Sequence, residues 1–230
     1  MADRPLALVT GASRGIGAAV AAALAPTHRL LLGGRDVDTL RARARELPEA
    51  EPWPVDLTDA EALGEACARI ESLDVLVHSA GVARLGSVAE SEAAVWRENL
   101  EVNVVAVAEL TRLALPALRA AKGHVVFVNS GQGLAVRAGW GPYAASKFAV
   151  RAYADALRAE EESHGVRVTS VYPGRTDTEM QRGVVAHEGG EYTPEKYLRP
   201  ESVAAAVAAA VTASPDAHLT EVTIRPRPVR

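Results

Sequence analysis

Short runs of Leu, Val and Ile alternate along the chain with longer stretches whose apolar positions recur at helical spacing. The runs predict strands over residues 6–10, 29–33, 53–55, 75–78, 124–129, 166–172 and 220–224. Most are continuously apolar, as strands covered on both faces are. The helical stretches fall between them, at 15–25, 38–46, 60–72, 92–121, 143–164 and 200–213. Strand followed by helix, repeated in this way, predicts an α/β protein built on one doubly wound parallel sheet, with helices on both faces. At 230 residues the chain suits a single domain, residues 1–230.

Some boundaries have a local cause. Thr58-Asp59-Ala60-Glu61 offers a capping hydroxyl followed three residues later by a carboxylate. Pro26 should stop the first helix, Gly165 should end the long fifth one, and Pro116 should kink or shorten the fourth. The tail Arg225-Pro-Arg-Pro-Val-Arg230 lacks the donors of a central strand. It is expected to fray or to pack on a neighbouring subunit.

The first strand runs into Thr10-Gly11-Ala12-Ser13-Arg14-Gly15-Ile16-Gly17 and then directly into helix. Glycines in such a turn let the backbone approach a pyrophosphate, whose charge then sits at the positive end of the helix. Strand, glycine turn and helix in this order predict nucleotide binding. At the end of the second strand, Gly34 stands where an acid would bond the adenosine ribose, and Arg35 follows it. With Arg14 in the glycine turn, two guanidiniums and no carboxylate suit a ribose 2′-phosphate, which favours NADP(H) over NAD(H). The alternative is that Arg35 is a solvated charge and Asp36 takes the ribose.

Tyr143 and Lys147 lie four apart at the start of the fifth helix and so share one face. A cation and a helix N-terminus near a phenol favour its ionised form. Ser130, after the fifth strand, is positioned to add a hydroxyl to the same pocket.

These features resemble the short-chain dehydrogenase/reductase family over residues 6–224. The resemblance rests on Thr10-Gly11-x-x-x-Gly15-x-Gly17, Asp56-Leu57, Ala80-Gly81, Asn103, Ser130, Tyr143-x-x-x-Lys147, and Pro173-Gly174 with Thr178. It implies a single-domain Rossmann fold with about seven parallel strands. It also implies an oxidoreductase that moves a hydride between a nicotinamide and a ketone, aldehyde or alcohol. Tyr143 would then be the acid/base, Ser130 would bond the carbonyl oxygen, and Lys147 would hold the nicotinamide ribose. Asn103 would support a water that relays protons. The cofactor would lie on Gly11, Ser13, Arg14, Gly15, Ile16 and Gly17, with Arg35 at the phosphate and Asp56 and Leu57 at the adenine. Ala80 and Gly81 would pass the ribose, and Pro173, Gly174, Thr176 and Thr178 would line the nicotinamide.

Departures from the family pattern are His78-Ser79 before Ala80, Gly131-Gln132-Gly133 after Ser130, and Thr176. His78 is expected at a strand end away from the chemistry. Substrate choice would fall to residues 134–140 and to a short mobile lid over 175–199, hinged at Gly189-Gly190. Trp140 is expected as an apolar wall, and Gln132 or Arg137 as polar contacts. An NADPH-dependent carbonyl reductase is the leading reading. An NAD-dependent alcohol dehydrogenase and a catalytically idle nucleotide sensor are the alternatives. Relatives commonly form dimers or tetramers through the fourth and fifth helices, so a homodimer or homotetramer is expected.

Composition changes this picture only by exclusion. A charge of −4 gives no reason to expect nucleic acid or anionic lipid as a partner. The single cysteine, Cys67, rules out an intrachain disulfide and a thiolate-rich metal site, and it reads as a buried structural thiol. No metal is expected. No apolar run reaches the roughly 20 residues needed to span a bilayer, and no signal-peptide pattern opens the chain, so a cytoplasmic location is the expectation.

Overall fold

The computed structural model describes residues 4–227. Its seven strands are β1 (Leu6–Thr10), β2 (Arg29–Gly34), β3 (Ala50–Pro54), β4 (Val75–His78), β5 (His124–Val128), β6 (Arg167–Pro173) and β7 (Glu221–Ile224). They form one parallel sheet in the order β3-β2-β1-β4-β5-β6-β7. The chain winds outward from β1 in one direction and from β4 in the other. A crevice therefore opens above the carboxyl ends of these two neighbours, where ligands bind in such sheets.

Apolar helix faces cover both sides. Helices α1 (Gly15–Leu24), α2 (Val37–Glu46) and α8 (Pro200–Val211) pack Val20, Leu24, Leu40, Val203 and Val207 on one face. Helices α3 (Ala60–Cys67), α5 (Ala106–Ala121) and α6 (Gly141–Glu161) pack Leu63, Leu110, Leu118, Val150 and Leu157 on the other. The remaining helices are α4 (Ala93–Leu100) and α7 (Glu179–His187). Cys67 is a buried core thiol, pushed up to about 11 by desolvation and by Glu109.

The structure corrects several sequence expectations. β3 covers Ala50–Pro54 rather than 53–55; it is an edge strand, where Pro52 and Pro54 are tolerated. The cap of α3 is Asp59, which accepts from Ala62 N, while the Thr58 hydroxyl donates to Asp56 instead. That helix also stops at Cys67, short of residue 72. Helix α5 continues through Pro116 to Ala121, held by the buried neighbours Ala114, Ala117 and Leu118. The irregularity in this stretch is a single π turn, Glu101–Val105, between α4 and α5. Residues 225 and 226 do not fray: they turn back onto β6 and line the cavity described below. The last three residues of the tail lie outside the described residues.

Candidate active site

A cavity of about 440 Å³ lies above the carboxyl ends of β4, β5 and β6. One end meets the glycine turn after β1, and the other is closed by α7, Trp140 and the segment after β7. Of the residues singled out from sequence, Ile16, Ala80, Gly81, Ser130, Tyr143, Lys147, Pro173, Gly174, Thr176 and Thr178 line it.

Backbone builds the first end. Gly11 and Gly15 adopt φ of +67° and +59°, the left-handed region that a side chain disfavours. A Cβ on Gly11 would stand 2.9 Å from Ala80 N, and one on Gly17 would stand 2.2 Å from Gly11 O. Only glycine lets the turn lie against both the β4 exit and its own helix. The Thr10 hydroxyl ties the two strand ends together, donating to Val77 O and accepting from Ser79 N and Ala80 N. These bonds steady the β4 exit despite the unusual His78-Ser79. Arg14, the N-cap of α1, offers no side-chain cap, so the first amides of that helix have no capping acceptor.

The surroundings of this end fit a phosphorylated ribose. Asp36 is committed to capping α2: it accepts from Asp38 N and Thr39 N at 3.1 Å and from the Thr39 hydroxyl at 2.6 Å. These bonds, the Thr39 hydroxyl first, hold its carboxyl below its ordinary pKa. Arg35 is exposed beside it, and Asp56 accepts from Thr58 N and Oγ1. Leu57 packs against the core under α3. Arg14 forms an ion pair with Glu179 at the start of α7, with both side chains well exposed. Such a pair contributes about 0–1 kcal/mol, so it gives way easily to a stronger anion. Arg43, not singled out from sequence, donates from Nε to Ser13 O at 3.4 Å, which brings a further guanidinium beside the turn. Its position two helical turns after the Asp36 cap is the signal that would have found it.

Side chains build the second end. Tyr143 and Lys147 are each 7% exposed on the first turns of α6, with Lys147 Nζ 5.7 Å from the Tyr143 ring centroid. Burial pushes the Tyr143 phenol up, against the expected lowering, and a hydrogen bond with the Ser130 hydroxyl opposes that rise. Desolvation moves Lys147 down to about 8. With both groups out of water, burial outweighs the cation in setting the phenol, which stays protonated at neutral pH.

Buried polar bonds fix this arrangement. Asn103 sits in the π turn, 1% exposed, and its Oδ1 accepts from Val82 N. Its Nδ2 donates to Val82 O and to Ser146 Oγ. Asn103 thus stands behind Gly81, tying the β4 exit to α6. Ser146, whose hydroxyl donates to Tyr143 O, and Asn129, whose Nδ2 donates to Lys147 O, hold α6 in place; neither was singled out from sequence. His78 is 3% exposed, stacks on Phe127 and bonds Thr111. Desolvation lowers it to about 3, and it does not line the cavity, as expected from sequence.

The segment expected as a mobile lid contains helix α7. Thr178 caps it, accepting from Gln181 N, and a Cβ on Gly15 would meet Thr178 Cγ2 at 3.3 Å. Arg175 pairs with Glu188, and the Tyr192 hydroxyl donates to Asp177. Val184 packs against Trp140 and Tyr143, so Trp140 is the expected apolar wall. The spacing Thr178-x-x-Gln181, not read from sequence, is the signal that would have found this helix.

Comparison with known proteins agrees with this fold. The short chain dehydrogenase pattern matches residues 5–189. The chain is 36% identical over 236 residues to a glycine betaine reductase of Emericella nidulans, covering 96% of this chain but only 19% of that much longer protein. It is 31% identical over 232 residues to an uncharacterized oxidoreductase of Staphylococcus saprophyticus, covering 96% of this chain and 97% of the other. An alcohol dehydrogenase from Thermococcus sibiricus, solved in complex with 5-hydroxy-NADP, superposes with a TM-score of 0.88 at 30% identity over 98% of this chain and 99% of that one. Sheet order, glycine turn and sequence match together make this chain a member of the short-chain dehydrogenase family of oxidoreductases.

Proposed function

We propose that the protein reduces a small ketone or aldehyde with NADPH. The observation that carries this reading is the meeting of Ser130, Tyr143 and Lys147 on the lining of a cavity that reaches Ile16 of the glycine turn. When bound, the nicotinamide supplies the hydride. Tyr143, kept protonated by burial, donates a proton to the carbonyl oxygen, and Ser130 holds that oxygen through a hydrogen bond. Lys147 holds the nicotinamide ribose, and Asn103 fixes the wall behind it and supports a proton-relaying water.

The first amides of α1 and the turn Gly11, Ser13, Arg14, Gly15, Ile16 and Gly17 take the phosphates. Asp56 and Leu57 flank the adenine, Ala80 and Gly81 the ribose, and Pro173, Gly174, Thr176 and Thr178 the nicotinamide. NADPH is favoured over NADH because Asp36 is spent on its cap while Arg14 and Arg35 remain exposed. The complex of the Thermococcus relative with 5-hydroxy-NADP supports the same choice.

Parallel fluorescence titrations with NADPH and NADH test this reading. NADPH should bind more tightly, and Arg35→Asp should weaken it by about 10- to 100-fold, the loss of a charge-assisted phosphate contact. Equal binding of both nucleotides by the unaltered protein would count against the 2′-phosphate site. We further propose a homodimer or homotetramer, since α4 to α6 leave Leu100, Val105 and Phe148 exposed. Light scattering should give the mass of two or four chains at micromolar concentration, and a monomer would exclude this assembly.

A further inference from the structure

The reaction end of the cavity carries more positive charge than hydride transfer requires. Beyond Lys147 it is lined by Arg137, Arg175, Lys196 and Arg225, and among the described residues by no aspartate or glutamate. Arg175 is matched by Glu188. Arg225 enters no ion pair among the described residues, and it differs from Arg137 and Lys196 in being anchored. Its Nη1 donates to Tyr172 O at 2.8 Å and to Ile224 O at 3.1 Å, which fixes the guanidinium without cancelling its charge.

That anchoring leaves Nε and Nη2 without a hydrogen bond among the described residues. These two parallel donors form the edge with which Arg119 grips Glu161 elsewhere in the molecule, at 2.8 and 2.7 Å. Nη2 lies against Gly131, the residue after Ser130: a Cβ there would meet it at 3.4 Å. Gln181, 7% exposed, lines the same cavity from α7, and its buried Nε2 donor has no partner. The cofactor phosphates do not account for these groups. The glycine turn follows β1, whereas Arg225 leaves β7, at the sheet edge beyond β5 and β6.

We infer that the substrate is an oxo acid, a carbonyl compound that also bears a carboxylate. The carboxylate sits on the Nε–Nη2 edge of Arg225, and the carbonyl oxygen lies between Ser130 and Tyr143. The inference rests on the carbonyl-reducing reading above. In the step itself, hydride from NADPH adds to the carbonyl carbon and the Tyr143 proton goes to its oxygen. The products are a hydroxy acid and the oxidised nucleotide, with the carboxylate unchanged.

The test compares 2-, 3- and 4-oxo carboxylic acids with their methyl esters, following NADPH consumption by the full-length protein after its NADPH affinity has been measured. At least one acid should exceed its ester by about tenfold or more in kcat/KM, the range of one charge-assisted bond. In Arg225→Gln that preference should fall toward unity through KM, and Arg225→Lys, which keeps the charge but loses the fork, should restore part of it. Esters turned over as well as acids, or an acid preference unchanged in Arg225→Gln, would overturn the carboxylate site and leave carbonyl reduction standing. Turnover of neither, with NADPH bound normally, would overturn this substrate class. Failure to bind NADPH would instead overturn the cofactor reading on which it rests.

Discussion

The two ends of the cavity are made of different material. At the nucleotide end, contact surfaces are main chain: glycines packed within van der Waals reach of their neighbours and the open amides of α1. At the reaction end they are side chains, Ser130, Tyr143 and Lys147, held by the buried amides of Asn103 and Asn129. A phosphate has the same shape in every substrate, so a rigid backbone cradle suits it. A carbonyl reduced as proposed needs a proton at one atom, which a positioned titratable side chain supplies. Changes at the first end should therefore disturb folding and binding together, whereas changes at the second should alter chemistry on an intact fold.

The largest expected effect falls at the reaction end. Tyr143→Phe removes the proposed proton donor while keeping the ring packed on Trp140, and should lower kcat by about 10³-fold, within the usual range for general acid catalysis. Steady-state NADPH oxidation measures it, with circular dichroism as the control for fold. An unaltered rate would overturn the assignment of Tyr143. Gly17→Ala comes next and breaks the opposite end. With its Cβ only 2.2 Å from Gly11 O, the turn must shift, at a stability loss of about 3 kcal/mol in urea unfolding and with weakened nucleotide binding. A stable variant with normal binding would remove the contrast between the two ends.

The smallest effect is a pH dependence that sharpens the contrast. Lys147 is lowered from its ordinary 10.5 to about 8, chiefly by desolvation. Below about pH 8 the folded protein holds a buried ammonium, which costs stability. Between that pH and 10.5 the folded state has released the proton and the unfolded state has not, so stability should rise with pH. Raising the pH from about 7.5 to 9.5 should stabilise the protein by about 1 to 2 kcal/mol relative to Lys147→Met. Turnover should decline over the same range as the ammonium is lost. Parallel urea curves and pH–rate profiles check both signs, and stability and activity moving together would contradict the assignment.

The sequence read most clearly where one local rule decided the outcome. The buried strands announced themselves as continuous apolar runs, and Tyr143, Lys147 and Ile16 of the glycine turn all line the one cavity. Misplaced elements answer to context instead. The edge position of β3 permits its prolines, and packing on both sides of Pro116 keeps α5 helical despite a missing donor. The π turn that aims Asn103, and the return of Arg225 to the cavity, depend on contacts between distant segments, which periodicity does not encode. The phenol shifted opposite to expectation because burial depends on everything packed around Tyr143, not on Lys147 alone.

The position of β7 has a consequence for the order in which the molecule comes into being. Gly174 N donates to Ile224 O, and Arg225 and Pro226 supply one wall of the reaction end. On the ribosome, the glycine turn and β1 to β4 emerge long before this strand does. A nascent chain lacking β7 would thus have the makings of a nucleotide cradle but an open-sided reaction chamber. Emergence of β7 and the two residues after it would close that side of the cavity.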